Sequence, residues 1–426
     1  MKRNFENRLF LGNYNEVIPY KGSFAAFNKI NGALILLDPN NIEQVHDGRW
    51  ALNIEDEDTL QYLKQNDFLL SDEYVQNLIR QINFPHEDYS DVTLVISLTE
   101  LCNCSCKYCY QLGWSCEDSL PDDKYTEWII EYVKKIVEKA PSNGHLTIKY
   151  FGGEPLLKLK TIAVFNRKIE DIIYRINPDI ILRYELDSNC TLLTRDVFSI
   201  FSNLSIATTL TLPHDHNALR GSTFKKIIEN LASVSNMFEM PQYRLNIGYN
   251  MHHGNADDFE QFLIYIHKTG LKCNVYVTNI VNYPQTNFVN HLSDDEFEIR
   301  YFKQIVPLLL KYGYSVDLLP PIGLYRKCNG INTLTRKFFS NGTQVLCSFI
   351  PKAEGMLSTN YPNSIIPTSY LNPLPEMCIK CYDFPCCGGI RPCFQCSGSY
   401  PHKESIKKRI QLYLDTQNGD DICTDI

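Results

Sequence analysis

Val95-Ile96-Ser97-Leu98-Thr99-Glu100-Leu101-Cys102-Asn103-Cys104-Ser105-Cys106-Lys107-Tyr108-Cys109-Tyr110 is the stretch on which the reading of the chain turns. An apolar, β-branched run leads into a loop in which Cys102, Cys106 and Cys109 follow the pattern C-x3-C-x2-C, with the aromatic Tyr108 directly before the last cysteine. Three thiolates this close, right after a strand, suit a loop wrapped around one corner of an iron–sulfur cube. A [4Fe–4S] cluster is normally held by four cysteines. Three leave one iron open, and an open iron can bind a ligand. The competing reading is half of a zinc site, since zinc also takes cysteines from short loops.

Working outward, the 426 residues imply two or three domains and a sizeable core. Hydrophobic residues at 44% and charged residues at 21% are ordinary for a globular protein. A net charge of −8 argues against nucleic acid as a partner. The start, MKRNFENRLF, lacks the apolar segment of a signal peptide, and no run approaches the roughly 18 apolar residues of a membrane span. Sixteen cysteines in such a chain point to metal binding in a reducing cytoplasm rather than to disulfides. Four lie in 102–109 and seven in 347–396, and clustering of that kind marks ligands.

Residues 1–90 are expected to form a small α+β module. Gly22–Lys29 and Gly32–Leu37 look like strands joined at Ile30-Asn31, and helices are expected at Glu55–Asn66 and Asp72–Ile82. This order suits a winged-helix-like fold. The acidic run Glu55-Asp56-Glu57-Asp58 fits the solvated first turn of a helix, where the macrodipole favours negative charge. The polar, Pro85-containing stretch Asn83–Tyr89 is the expected linker.

From Asp91 to Gly313, apolar β-branched runs alternate with amphipathic segments. Strands are predicted at Val92–Leu98, Leu146–Phe151, Ile180–Leu186, Ile206–Leu212, Arg244–Met251 and Lys272–Ile280. Helices are predicted at Asp123–Ala140, Leu156–Ile176, Thr194–Ser202, Thr223–Met237 and Asp257–Thr269, the first with Ile129, Tyr132, Val133, Ile136 and Val137 at helical spacing. Alternation over six units implies a parallel sheet with right-handed crossovers. In such sheets ligands sit outside the carboxyl ends of the strands, which is where the cysteine loop falls.

The loop after the second strand reads Tyr150-Phe151-Gly152-Gly153-Glu154-Pro155. Two glycines let backbone approach a ligand without a Cβ in the way, and a carboxylate suits a cationic amine. A plain strand-to-helix turn, with Pro155 in the first helical positions, is the structural alternative.

Together with the cysteine loop, these residues resemble the signature of radical S-adenosylmethionine (SAM) enzymes. The resemblance implies a partial (β/α)6 barrel over 91–313, with Cys102, Cys106 and Cys109 on a [4Fe–4S] cluster and Tyr108 beside it. Gly152, Gly153, Glu154 and Pro155 match the family's GGEP motif, which would hold the amino group of SAM. Ser188-Asn189-Cys190-Thr191-Leu192-Leu193 resembles the family's TNGTLL turn, with Cys190 where glycine is usual. By the same resemblance Thr209 and Arg220 would contact the SAM carboxylate, although Thr211-Leu212 replaces the usual Asp-Gly pair. The implied chemistry is reductive cleavage of SAM to methionine and a 5′-deoxyadenosyl radical.

Residues 314–426 form the second cysteine-rich region. Cys328-x13-Gly342-x4-Cys347, then Cys378-x2-Cys381 and Cys386-Cys387, resemble the SPASM extension of peptide-modifying members, which carries auxiliary [4Fe–4S] clusters. The next cysteine expected by that pattern falls on Arg391, with Cys393 two residues later. The resemblance assigns Cys328, Cys347 and Cys393 to one auxiliary cluster and Cys378, Cys381, Cys387 and Cys396 to the other. Read alone, Cys378/Cys381 and Cys393/Cys396 also fit a zinc ribbon, which leaves Cys328, Cys347 and Cys387 unexplained.

The combination looks like the maturases that build thioether or carbon–carbon cross-links in ribosomally made peptides. It implies a precursor peptide as substrate, its leader captured by strand addition to the N-terminal module, and a flavodoxin- or ferredoxin-type electron donor. A formylglycine-generating sulfatase maturase is the alternative enzyme, and Ser348, where that family has an Asp after the cysteine, counts against it. An iron–sulfur electron carrier is the non-enzymatic alternative.

Overall fold

Six parallel strands form the spine of the chain in its computed structural model, which describes residues 9–81, 87–109, 111, 121–280, 286, 288–320, 332–345, 376–387 and 403–417. The chain divides into two compact units: Met1–Phe84 with Val316–Cys328 and Thr368–Ile426, and Pro85–Ser315 with Asn329–Pro367. The division differs from the three consecutive segments expected. Residues 332–345 extend the sheet, whereas residues 376–387 and 403–417 pack with the N-terminal module.

In the first unit, β1 (Leu9–Phe10), β2 (Asn15–Tyr20), β3 (Ser23–Asn28), β4 (Leu34–Leu37), β5 (Ile42–Gln44) and β6 (Trp50–Leu52) make two antiparallel three-stranded sheets, ordered β1-β6-β5 and β2-β3-β4. The hairpin β3–β4 is the one predicted. The winged-helix-like order of two strands, a helix, a short apolar strand at Phe68-Leu69-Leu70 and a second helix differs from what forms: 68–70 make no strand, and β1, β2, β5 and β6 are added. β2 escapes a sequence reading because it carries Glu16 and Pro19, and proline is tolerated only at an edge position such as β2 occupies. Lys21 and Gly22, with φ of 45° and 81°, supply the left-handed pair that a tight β2–β3 turn needs. Asp56 caps the helix Glu57–Gln65 by accepting from Thr59 N, and Ser71 caps Asp72–Arg80 by accepting from Tyr74 N. In the tail, Ile406, Ile410 and Leu414 form one stripe of the helix Lys403–Gln417 and pack on Ile18, Tyr20, Ala25, Phe27 and Cys386.

In the second unit the sheet runs β12-β11-β10-β9-β8-β7-β13-β14. Its members are β7 (Asp91–Ile96), β8 (His145–Tyr150), β9 (Ile181–Asp187), β10 (Leu204–Thr209), β11 (Tyr243–Met251), β12 (Asn274–Asn279), β13 (Arg336–Phe338) and β14 (Gln344–Val345). β7 to β12 are the six predicted strands, all parallel. β13 adds in parallel to β7, and β14 returns antiparallel. One parity of the strands is buried: Ile148, Tyr150, Tyr184, Leu186, Ile206, Ile247, Tyr249 and Val275. The other parity is polar and half-buried, including Lys149, Glu185, Asp187, Ser205, Asn246 and Asn250. Side-chain ladders run across this second face, with Asn246 Nδ2 donating to Ser205 Oγ at 2.9 Å and Lys149 Nζ 3.0 Å from Asp187 Oδ2. Among the described residues, no helix is long and apolar enough to cross a membrane.

The segment between β7 and the cysteines is fixed to the β13 end. Ser97 N donates to Phe338 O, and Tyr125 OH donates to both Ser97 O and Phe338 O. The buried Glu100 carboxylate accepts from Ser97 Oγ at 3.0 Å, from Ser340 N at 3.1 Å and from the Ser340 hydroxyl. Glu100→Ala removes an acceptor from the buried Ser340 N–H and hydroxyl, which costs about 1–3 kcal/mol. Urea unfolding should show that loss, and Glu100→Gln, which keeps an acceptor and a group able to meet Ser340 Oγ, should recover most of it.

Candidate functional site

The carboxyl ends of the parallel strands enclose a cavity of about 330 Å³. Its wall is built strand by strand. β7 delivers the cysteine loop, β8 delivers Gly152 and Gly153, β9 delivers Asp187 to Asn189, and β10 delivers Ala207 to Thr209. Asn250 of β11, Tyr276 and Asn279 of β12, and Arg220 at the end of the helix Pro213–Arg220 complete it.

Cys102, Cys106 and Cys109 all line this cavity, together with Cys104 and Tyr108. The loop is held at several points: Lys107 N donates to Leu219 O at 2.8 Å, and Cys109 N donates to Cys106 O at 3.1 Å. Asn189 Nδ2 reaches Asn103 Oδ1 at 2.7 Å and Cys102 Sγ at 3.6 Å, while Asn103 Nδ2 donates to Thr191 Oγ1 at 2.8 Å. Hydrogen bonds from the Cys104 thiol and backbone, then from Asn189, and the charge of Arg220 pull Cys102 down to about 6. Burial pushes Cys106 and Cys109 up, and Arg220 opposes it at both. The site therefore holds several thiols around one fixed cation.

Arg220 is buried, and its Nη1 donates to Tyr108 Oη at 3.3 Å. Its Nε–H is buried with no partner among the described residues. A buried guanidinium with a donor to spare, facing a cavity, suits an anionic group such as a carboxylate. The helix that carries Arg220 is anchored at Asp215. Gly254 N and Asn290 Nδ2 both donate to His252 Nδ1 at 3.0 Å, so the ring proton lies on Nε2 and is given to Asp215 Oδ1 at 2.9 Å. Asn255 Nδ2 donates to the other carboxylate oxygen. Burial opposes ionisation of Asp215, but these hydrogen bonds outweigh it and hold its pKa below the usual carboxylate range.

The two glycines also serve the packing of the cysteine loop. Both line the cavity, yet what they admit at close range is the chain of the cysteine loop. A Cβ on Gly153 would lie 2.0 Å from Leu101 O, and one on Gly152, where φ is 133°, would lie 2.4 Å from Ser97 Oγ. The contact is completed by Gly153 N donating to Thr99 O at 3.0 Å and Glu154 N to Leu101 O at 2.8 Å.

Glu154 and Pro155 do not line the cavity. Glu154 is 0% exposed; its Oε1 accepts from Leu156 N at 3.0 Å and Ser188 Oγ at 2.8 Å, and its Oε2 accepts from Asn189 N at 2.7 Å. Burial raises its pKa in spite of these bonds. The carboxylate braces the β8 loop against the β9 turn. Ser188, Asn189, Thr209 and Arg220 stand at the cavity as expected. Cys190, at φ 60°, takes the left-handed conformation that favours glycine.

Asp187, Asn250, Tyr276 and Asn279 are lining residues that motif reading missed. Their signal was the polar alternation along β9, β11 and β12, because a parallel strand covered on both faces by apolar layers reads as a continuous hydrophobic run. Gly248 belongs with them: a Cβ there would meet the Tyr276 ring at 2.8 Å, so its absence leaves room for that ring beside β11.

Of the tail cysteines, Cys378 and Cys386 are buried and Cys381 is half-buried. Cys328, Cys347, Cys393 and Cys396, with the side chain of Cys387, lie outside the described residues. Among the described residues, no three His, Cys, Asp or Glu side chains converge on a site for a single metal ion.

Comparison with known proteins agrees with this geometry. Residues 96–266 match the Radical SAM superfamily, a span containing the cysteine loop, the double glycine and Arg220. The radical SAM cyclopropyl synthase TigE of Paramaledivibacter caminithermalis is 22% identical over 348 residues, covering 69% of this chain and 73% of TigE. The solved structure of anSMEcpe with bound AdoMet superposes with a TM-score of 0.52 at 17% identity, over 78% of this chain and 99% of that one. The same protein with AdoMet and the Cp18Cys peptide gives 0.53 at 17% identity, over 77% and 98%. These structures share the α/β fold with its parallel sheet.

The brace yields a test. Both oxygens of Glu154 accept a backbone N–H, so whichever way a glutamine amide is turned in Glu154→Gln, its NH2 faces an N–H donor. The iron-free protein should lose about 1–3 kcal/mol of stability in urea unfolding. A carboxylate reserved for a ligand would leave that stability unchanged.

Proposed function

We propose that this chain is a radical SAM maturase that modifies a ribosomally made peptide, forming a thioether or carbon–carbon bond. The observation that carries the reading is one cavity where three C-x3-C-x2-C thiols and a buried guanidinium, all from the matched segment, meet, the guanidinium Nε–H having no partner among the described residues. Cys102, Cys106 and Cys109 would hold a [4Fe–4S] cluster. When bound there with SAM, the cluster supplies the electron that cleaves the sulfonium to methionine and a 5′-deoxyadenosyl radical.

The chain's own residues divide the remaining work. Arg220, held by Tyr108 and by the helix that Asp215 anchors, would take the SAM carboxylate, with Thr209 beside it. Gly152 and Gly153 present their backbone to the cavity, and Ser188 and Asn189 tie that wall to the cysteine loop. Glu154 and Pro155 act from behind, by fixing the loop's shape. For the tail, Cys328, Cys347 and Cys393 on one auxiliary [4Fe–4S] cluster, and Cys378, Cys381, Cys387 and Cys396 on another, remain our assignment. A flavodoxin- or ferredoxin-type protein would be the electron donor.

Support for a peptide substrate comes from what the related proteins do. TigE is named as a cyclopropyl synthase of the same superfamily, and anSMEcpe has been seen with a peptide bound. β4, at the edge of the sheet β2-β3-β4, offers a strand for leader capture, with Leu36 exposed upon it. A formylglycine-generating enzyme is the second reading, and Ser348 counts against it.

Reconstituted anaerobically and reduced with dithionite, the wild type should convert SAM to 5′-deoxyadenosine, measured by chromatography. The Cys102/Cys106/Cys109→Ala variant should form none and should lose about four irons per chain. Continued 5′-deoxyadenosine formation by that variant would place the chemistry elsewhere.

A further inference from the structure

The first unit joins residues from opposite ends of the sequence in one core. Cys378 and Ile379 are buried with Tyr14, Val75 and Ile79, and Cys381 packs against the same cluster. The turn that follows is clamped by charge. Lys29, 2% exposed, donates from Nζ to Asp383 Oδ1 at 2.8 Å, with Glu16 Oε2 at 3.7 Å. This buried pair, with Glu16 beside it, fixes the turn 381–386 on β2 and β3. Tyr382 adds a second clamp: its ring stands edge-on to Tyr14 at 5.3 Å, and its hydroxyl donates to Asp72 Oδ2 at 2.9 Å.

Within this packing one polar atom is left over. The Tyr14 hydroxyl is buried and no group among the described residues meets it at good hydrogen-bond geometry, although the Gln76 side chain is near enough to act on it. Besides Gln76, the groups around it are Asp72, Tyr382 and Cys381. A buried phenol without a well-placed partner costs free energy, and a redox group that accepts from it is one of the physical reasons for keeping it. A thiolate or sulfide at Cys381 is such an acceptor. An apolar core residue at position 14 would have filled the same volume without this cost.

We infer that the N-terminal module forms part of the auxiliary iron–sulfur site, with Tyr14 donating a hydrogen bond to the Cys381 sulfur of a cluster that Cys378 and Cys381 hold. The inference rests on the reading of the tail as an iron–sulfur region and goes beyond it by making residues near the start of the chain a determinant of that cluster's properties. Tyr14 is then a positioning and tuning residue: hydrogen bonds to sulfur are among the factors that set a cluster's potential, and losing one favours the less negative, oxidised state.

The experiment uses the full chain with Cys102/Cys106/Cys109→Ala, so that only tail clusters remain, and compares it with the same chain carrying Tyr14→Phe. Iron and sulfide should be retained equally in both. In an EPR-monitored redox titration, Tyr14→Phe should lower one midpoint potential by a tenfold change in the reduction equilibrium, about 59 mV for a one-electron couple. The iron-free Tyr14→Phe chain should be as stable as its parent or more so, since it loses an unpartnered hydroxyl. Tyr382→Phe is the comparison: it breaks a bond to Asp72 and should cost stability without moving the potential. Equal potentials in parent and Tyr14→Phe, with iron retained, overturn the role of Tyr14 and leave the tail clusters standing. Absence of iron and sulfide from the parent variant overturns the tail reading and this inference together.

Discussion

The site depends on two backbone hydrogen bonds and one buried carboxylate. Gly153 N to Thr99 O and Glu154 N to Leu101 O fasten the loop after β8 to the residues that precede Cys102. The Glu154 carboxylate then carries the connection to Asn189 at the end of β9. Three adjacent strand ends become one wall, and Asn189 passes the constraint on to Cys102 and Asn103. Only glycine at 152 and 153 permits so close an approach. The order imposed on the cysteines thus comes from their neighbours, while their own loop supplies the donors.

The same economy shapes the second face of the sheet. Residues of β8 to β12 that would be apolar in a sheet covered on both sides are here Lys149, Asp187, Asn246, Asn250 and Tyr276, and several bond along or across the strands. The result is a polar floor leading to the cavity, with a fixed cation, Arg220, beside the thiols. A positive charge in that place favours thiolates and an incoming carboxylate alike, which is why one residue bears on both cofactor groups of the proposed chemistry.

Much of this was legible in the sequence. The six parallel strands announced themselves through β-branched runs at regular spacing, and the meeting of Cys102, Cys106 and Cys109 at one cavity through their C-x3-C-x2-C spacing. What was not legible is non-local or short. β13 and β14, with three and two residues, carry no periodicity of their own and exist because β7 offers an edge. The union of the N-terminal module with the tail rests on contacts such as Lys29 to Asp383, separated by 354 positions, for which no local pattern exists. Glu154 was read by its charge as a ligand for an amine. In the fold, its burial and the need to satisfy the backbone N–H groups of Leu156 and Asn189 decide its place first. Cys190 stands where the resembled turn has glycine, and its left-handed backbone, at φ 60°, gives the physical reason for glycine at that position.

The central claim is that SAM binds at an iron left open by Cys102, Cys106 and Cys109, with its carboxylate against Arg220. EPR spectroscopy of the dithionite-reduced protein, recorded with and without SAM, tests it most directly. The account predicts that SAM shifts the g values of one reduced [4Fe–4S] signal in the wild type, and that Arg220→Met needs at least tenfold more SAM for the same shift. Identical spectra with and without saturating SAM, in protein carrying the full complement of iron, would contradict it.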